Sequence, residues 1–172
     1  MQAIFTILAS LIVAVSAAPV PPDASAIAKI IGIKPERVSR SPEKKTAKTF
    51  TWSVRYLIDG NSGYSLSLIL VPSGQIKADR IQMIRDSPNL EYKRVETKAG
   101  DVIHQSLVDQ GDLGTSYISM LITKERDWDL MVGLERKPEA KKEAPFLISK
   151  DGIRFAEAVE TLLRSQKHQS KE

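Results

Sequence analysis

From Thr49 to Ile58 the chain alternates with a period of two. Phe50, Trp52, Val54, Tyr56 and Ile58 fall on one side, and Thr49, Thr51, Ser53, Arg55 and Leu57 on the other. That is the spacing of a strand with one buried face. "DGNSG" then predicts a turn. In "YSLSLILV", Tyr64, Leu66, Leu68 and Leu70 share a face, but the opposite side carries Ile69 and Val71 as well as Ser65 and Ser67. Four more strands are predicted in "LEYKRVET", "DVIHQSLVD", "TSYISMLIT" and "WDLMVGLE", with short polar turns between them. Their even spacing reads as an antiparallel meander of hairpins. Trp128, Leu130, Val132 and Leu134 make one row. In the strand before it Ile118, Met120 and Ile122 oppose Tyr117, Ser119 and Leu121, so neither side is polar. A sheet that is apolar on both faces requires cover on both.

Helical spacing occurs three times. In "DASAIAKIIGI", Ile27, Ile30 and Ile31 form a stripe, Asp23 or Ser25 is placed to cap it, and Gly32 to end it. In 75–87, Ala78, Ile81 and Ile84 recur at helical spacing, although Ile81 and Met83 also suit a strand; the spacing favours a short helix. A last helix is predicted from Asp151 to Gln166. Phe155, Val159, Leu162 and Leu163 form its buried stripe, and Glu160 pairs with Arg164 on the wet side. Two charged stretches, "KPERVSRSPEKKTAK" and "RKPEAKKEAP", read as linkers. The expected fold is α+β: an antiparallel meander sheet of six or seven strands, with the C-terminal helix packed on it and a short N-terminal helix.

The start of the chain follows a different pattern. Residues 1–22 contain no Asp, Glu, Lys or Arg, and Ala3–Val15 is almost wholly apolar. This is the length of a signal-peptide core and is short of the roughly 18–20 residues that span a bilayer. Val15-Ser16-Ala17 and Ser16-Ala17-Ala18 both offer a small-residue cleavage site, and cleavage after Ala17 keeps Pro19 off the scissile bond. The n-region lacks the usual Lys or Arg, so an uncleaved anchor or a buried N-terminal helix is the alternative. The expected organisation is a signal peptide over 1–17, a leader with a short helix and a charged linker over 18–48, one globular domain over 49–166, and a disordered tail over 167–172. The expected location is secreted or periplasmic, with membrane contact only through an uncleaved signal segment.

Composition narrows the chemistry. Among the 172 residues there is no cysteine, which excludes a disulfide framework, a thiol nucleophile and a thiolate metal site. No N-x-S/T sequon occurs, which suits a bacterial envelope better than a eukaryotic secretory route. The net charge is +4, but residues 51–135 carry 9 basic and 12 acidic side chains, against 7 and 3 in 23–50 and 9 and 6 in 136–172. The basic excess therefore sits in the flanks, which argues against a nucleic-acid partner.

The order of elements resembles a known family. A strand hairpin, a helix, "LEYKRVETKAGDVIHQSLVDQG", two long strands and a closing "FAEAVETLLRSQ" helix are together similar to the PsbP-like α/β/α sandwich over about 49–166. The resemblance lies in pattern and order, with no motif to carry residue by residue. It implies a non-catalytic binding or assembly factor.

Candidate chemistry is sparse. His168 falls in the tail, leaving His104 as the one candidate base; a strand histidine outside any motif is ordinarily structural. "DQGDLG", with Asp109 and Asp112, lacks the EF-hand pattern. Asp127 and Asp129 flank Trp128 and are expected to be a solvated strand end rather than paired catalytic carboxylates. No phosphate-binding, zinc-protease or serine-hydrolase motif occurs. No catalytic residue, metal site or cofactor is therefore expected. Three readings follow. The first is a non-enzymatic binding or accessory protein of the cell envelope, with an unknown protein partner. The second is a carrier for a small apolar ligand held between sheet and C-terminal helix, with Trp52, Trp128 and Phe155 as its lining. The third is a hydrolase using His104. A cavity at those aromatics would favour the carrier, and a filled core the binding module.

Overall fold

The computed structural model describes residues 18–41, 50–60, 63–97, 101–109, 115–123, 126–136 and 148–169. The expected signal peptide and its cleavage site, Asp112, the second half of the first linker and most of the second linker lie outside them.

Seven strands form a single sheet: β1 (Val38–Arg40), β2 (Trp52–Ile58), β3 (Tyr64–Pro72), β4 (Glu91–Glu96), β5 (Val102–Asp109), β6 (Thr115–Ile122) and β7 (Trp128–Arg136). Their order is β1-β2-β3-β7-β6-β5-β4, and every pairing is antiparallel. Two runs of neighbours, β1–β3 and β4–β7, are joined side by side where β3 pairs with β7 from Tyr64↔Arg136 to Pro72↔Trp128. Three helices complete the α+β fold: α1 (Ala24–Ile31), α2 (Ala78–Arg85) and α3 (Ile148–Gln169). α2 lies in the connection that carries the chain from the middle of the sheet to its far edge, and it touches β5.

Register assigns the faces, because partners across an antiparallel ladder point the same way. Val54↔Leu68↔Val132 and Tyr56↔Leu66↔Leu134 are two adjacent rows of one face. α3 packs on this face over β5, β6 and β7, and α1 packs against α3. Leu66, Leu68, Leu70, Leu130, Val132, Val159 and Leu163 are wholly enclosed in the resulting core. Each such side chain contributes about 1.5–3 kcal/mol relative to exposure. The other face carries Ile69↔Met131 and Met131↔Met120 together with His104 and Arg94. Met120 is buried there, outside the main core.

The core extends beyond the segment expected to hold it. Residues 18–48, read above as leader and linker, supply Ile27, Ala28 and Val38 to the core, and Val38–Arg40 forms the edge strand β1. α1 is capped as its sequence predicts. The Asp23 carboxylate accepts from the Ala26 N–H at 2.7 Å, and Gly32 closes the helix at φ 74°, a left-handed conformation that favours glycine. The Asp23 carboxyl is held below its usual value, chiefly by that backbone N–H.

α3 differs from its expected form in three respects. It runs from Ile148 to Gln169, so Lys167–Gln169, read as tail, are helical; no glycine or proline interrupts that stretch. Its enclosed stripe is Phe155, Ala156, Val159 and Leu163, while Leu162 is half-buried. Glu160, expected on the wet side, is buried. It pairs with Arg164, whose other guanidinium nitrogen donates to the buried Asp101 carboxylate at 2.5 Å. The buried Glu160 is tolerable because Arg164, one turn further along the same helix, pairs with it and reaches across to Asp101.

Candidate functional site

The segment directly after the expected cleavage site is held by two aromatic side chains of β2. The Trp52 indole Nε1–H donates to the Pro19 carbonyl at 2.7 Å, and the Tyr56 hydroxyl donates to the Pro22 carbonyl at 2.5 Å. Proline offers only a carbonyl, and the extended run Pro19–Pro22 turns carbonyls three residues apart toward donors four residues apart on β2. Pro19 and Pro22 are buried, whereas Val20 between them is largely exposed. Burial pushes the Tyr56 hydroxyl pKa up, which keeps it protonated and a donor. This strap delivers α1 to the core face.

The three aromatics proposed as a ligand lining belong to one hydrophobic core, but they do not line one cavity. Trp52 is half-buried and engaged by the strap. Trp128 is 4% exposed, opposite Pro72 at the start of β7. Its Nε1–H has no hydrogen-bond partner among the described residues. Phe155 packs at the other end of β7, where it lines a cleft with Leu134. Six residues separate Trp128 from Leu134, about 20 Å at the rise of a strand.

That cleft is an opening among the described residues, at the margin of the sheet–helix layer. It has a volume of about 310 Å³ and lies between the C-terminal end of α1, the first half of α3 and the end of β7. Ile30, Ile31, Leu134, Phe155 and Ala158 form apolar walls, Gly32 lies at one edge, and Arg154 brings a single charge. Of the three aromatics expected to line a ligand site, Phe155 alone lines it. Ile30 and Ile31 were legible as part of the α1 stripe, Gly32 as its stop and Leu134 as one of the β7 row; Arg154 and Ala158 carried no signal of their own.

His104 sits on the opposite face of the sheet, half-buried, paired with Met120 and Arg94. Its Nδ1 lies 2.7 Å from the Tyr92 hydroxyl, and the two rings stack with centroids 6.1 Å apart. Burial, aided by the Arg94 charge, lowers its pKa. The neutral imidazole is thereby favoured, and a phenol orients the ring. A carboxylate orienting group of the serine-hydrolase kind is absent among the described residues bonded to it.

No family model and no curated protein matches the chain.

Asp129 corrects another expectation. Asp127 is exposed, but Asp129 is 1% exposed. Asp127 precedes β7, whereas Asp129 lies within it and accepts the backbone N–H groups of Thr123 and Gly74, both at 3.1 Å. It ties the turn after β3 to the β6–β7 hairpin. Burial raises its pKa in spite of those two donors. Among the described residues no group of three or more histidine or acidic side chains is gathered as metal ligands, and no helix is long and apolar enough to cross a membrane.

Proposed function

We propose that this chain is a secreted or periplasmic, non-enzymatic binding or accessory protein of the cell envelope. The observation that supports this reading is the filled layer between the sheet and α3, where Leu68, Leu70, Leu130, Val132, Phe155, Val159 and Leu163 are all at most 5% exposed. A chain that encloses a sizeable ligand in that layer needs room there. This one presents surfaces instead. The arrangement at His104 agrees, since its Nδ1 meets a phenol rather than the carboxylate that orients a hydrolase imidazole. Export rests on the uncharged stretch Ala3–Val15 and the small residues Val15-Ser16-Ala17. The PsbP-like α/β/α arrangement is part of the same proposal, and binding or assembly is the work that resemblance implies.

The test has two arms on protein purified from the envelope fraction of its host. Intact-mass measurement is expected to give a chain beginning at Ala18 or Pro19. A screen against generic esterase, phosphatase, peptidase and glycosidase substrates is expected to show no turnover above background. Turnover that disappears in His104→Gln, with the fold retained by circular dichroism, would overturn the non-enzymatic reading and install the hydrolase.

A second reading, a carrier of a small apolar ligand, is favoured by one observation: the apolar cleft of about 310 Å³ at Phe155. It lies at the margin of the sheet–helix layer rather than inside it.

A further inference from the structure

We infer that the cleft between α1, α3 and the end of β7 is a binding site for a straight-chain monocarboxylate of about ten non-hydrogen atoms, with the carboxylate at Arg154. The inference rests on the carrier reading and gives it a site and a ligand class.

Size comes first. The cleft holds about 310 Å³. At about 30 Å³ per water-sized group, that is room for about ten heavy atoms, the size of octanoate. The volume is at the small end of ligand pockets, which excludes a long-chain lipid enclosed over its whole length.

Wall chemistry comes second. Ile30 and Ile31 of α1, Leu134 of β7, and Phe155 and Ala158 of α3 present hydrocarbon. A bound chain gains by leaving water and needs no polar partner along its length. α1 makes one whole wall, so the site exists only because the Pro19–Pro22 strap and Ile27 hold that helix against α3.

Charge comes third. Arg154 is the charged residue in the lining. It is exposed, and it has no ion-pair partner among the described residues. Other described arginines are committed: Arg37 to Asp59, Arg55 to Glu135, and Arg164 to Asp101 and Glu160. Guanidinium is suited to hold a carboxylate through two parallel N–H donors. The C-terminal end of α1 opposes this, with about half a negative charge from its dipole. The full charge of Arg154 outweighs it, so the site prefers an anion to a cation.

The test uses the full chain as the cell exports it, with three probes that share an eight-carbon chain: octanoate, octanol and octyltrimethylammonium. Calorimetry gives affinities, and backbone amide NMR locates binding. Octanoate is expected to shift the amides of Ile31, Gly32, Phe155 and Ala158 saturably, and to bind more tightly than octyltrimethylammonium. Arg154→Gln is expected to weaken octanoate about three- to fivefold, the range of an exposed charge pair, and to leave octanol unchanged. Ala158→Phe fills the cleft and is expected to abolish both; Ala158→Met serves if that variant fails to fold. Octanol binding at these amides with octanoate no better than octyltrimethylammonium overturns the inference and leaves the carrier reading standing. Failure of both octanol and octanoate to bind overturns the two together.

Discussion

α1 and α2 are each eight residues long, and the protein uses them in opposite ways. α1 has Ile27 and Ala28 wholly enclosed, an aspartate cap at one end and a left-handed glycine at the other. α2 has no buried residue and no side-chain cap, and it leaves Met83 73% exposed. Neither is long enough to be stable alone in water. The comparison therefore shows where short helices obtain stability. α1 is held by tertiary packing and by a strap fixed at both ends to β2; α2 rides on β5 as part of a crossing connection.

The sharpest way to break this comparison is in the core. Ile27→Ala is expected to cost about 2–4 kcal/mol, because it leaves a cavity at a fully enclosed site. Ile81→Ala in α2, where the side chain is half-buried, is expected to cost about 1 kcal/mol or less. Urea melts of the two variants measure the difference, and equal losses would mean that α1 is no better anchored than α2.

The strap comes next. Tyr56→Phe removes the hydroxyl that donates to Pro22 and leaves a buried carbonyl unpaired, for an expected loss of about 1–3 kcal/mol. The same urea melts apply.

The cap follows. Asp23→Ala is expected to cost about 1 kcal/mol. In the parent protein the Asp23 pKa is lower folded than unfolded. Its contribution is therefore present above the unfolded value of 3.8 and is lost as pH falls through the folded value. Melts at pH 7 and below pH 3 should show the difference between parent and Asp23→Ala shrinking on acidification.

The smallest expected effect is at α2. Met83→Lys should change stability by less than about 0.5 kcal/mol, because the side chain is already in water. A larger loss in thermal or urea melts would mean that Met83 is covered in solution.

Local signals were enough to read α1 itself: the Ile27, Ile30 and Ile31 stripe, the Asp23 cap and the Gly32 stop all lie within eleven residues. Its place in the fold was not readable. The bonds that seat it join Pro19 to Trp52 and Pro22 to Tyr56, 33 and 34 residues apart, and no period or motif encodes them. Six strands were legible from alternation. β1 was not, since three residues among lysines, serines and prolines carry no period. The β3–β7 pairing was hidden for another reason: strands that follow one another usually pair, and here α2 carries β4 past three strands to the sheet edge. Burial of Glu160 and Asp129 also escaped a pattern reading. Polarity along a helix or strand predicts water; the Glu160–Arg164 pair is drawn inside because Arg164 also bonds the distant Asp101, and Asp129 because the Thr123 and Gly74 N–H groups satisfy it. As a ligand lining, the candidate site was legible at Phe155 alone, because the cleft is built from the ends of three elements brought together by those long-range contacts.

The claim on which the rest depends is that the chain from Pro19 to Arg40 is a built part of the folded domain, making one wall of the cleft. Native-state amide hydrogen exchange tests it most directly. The account predicts that the α1 amides of Ile27 to Ile31 are protected to the level of Leu66–Leu70 in β3 and open only with the whole domain, while Ile81 to Arg85 of α2 exchange orders of magnitude faster. If α1 exchanges as fast as α2 while β3 stays protected, the strap and its helix are a loose appendage, and the account is contradicted.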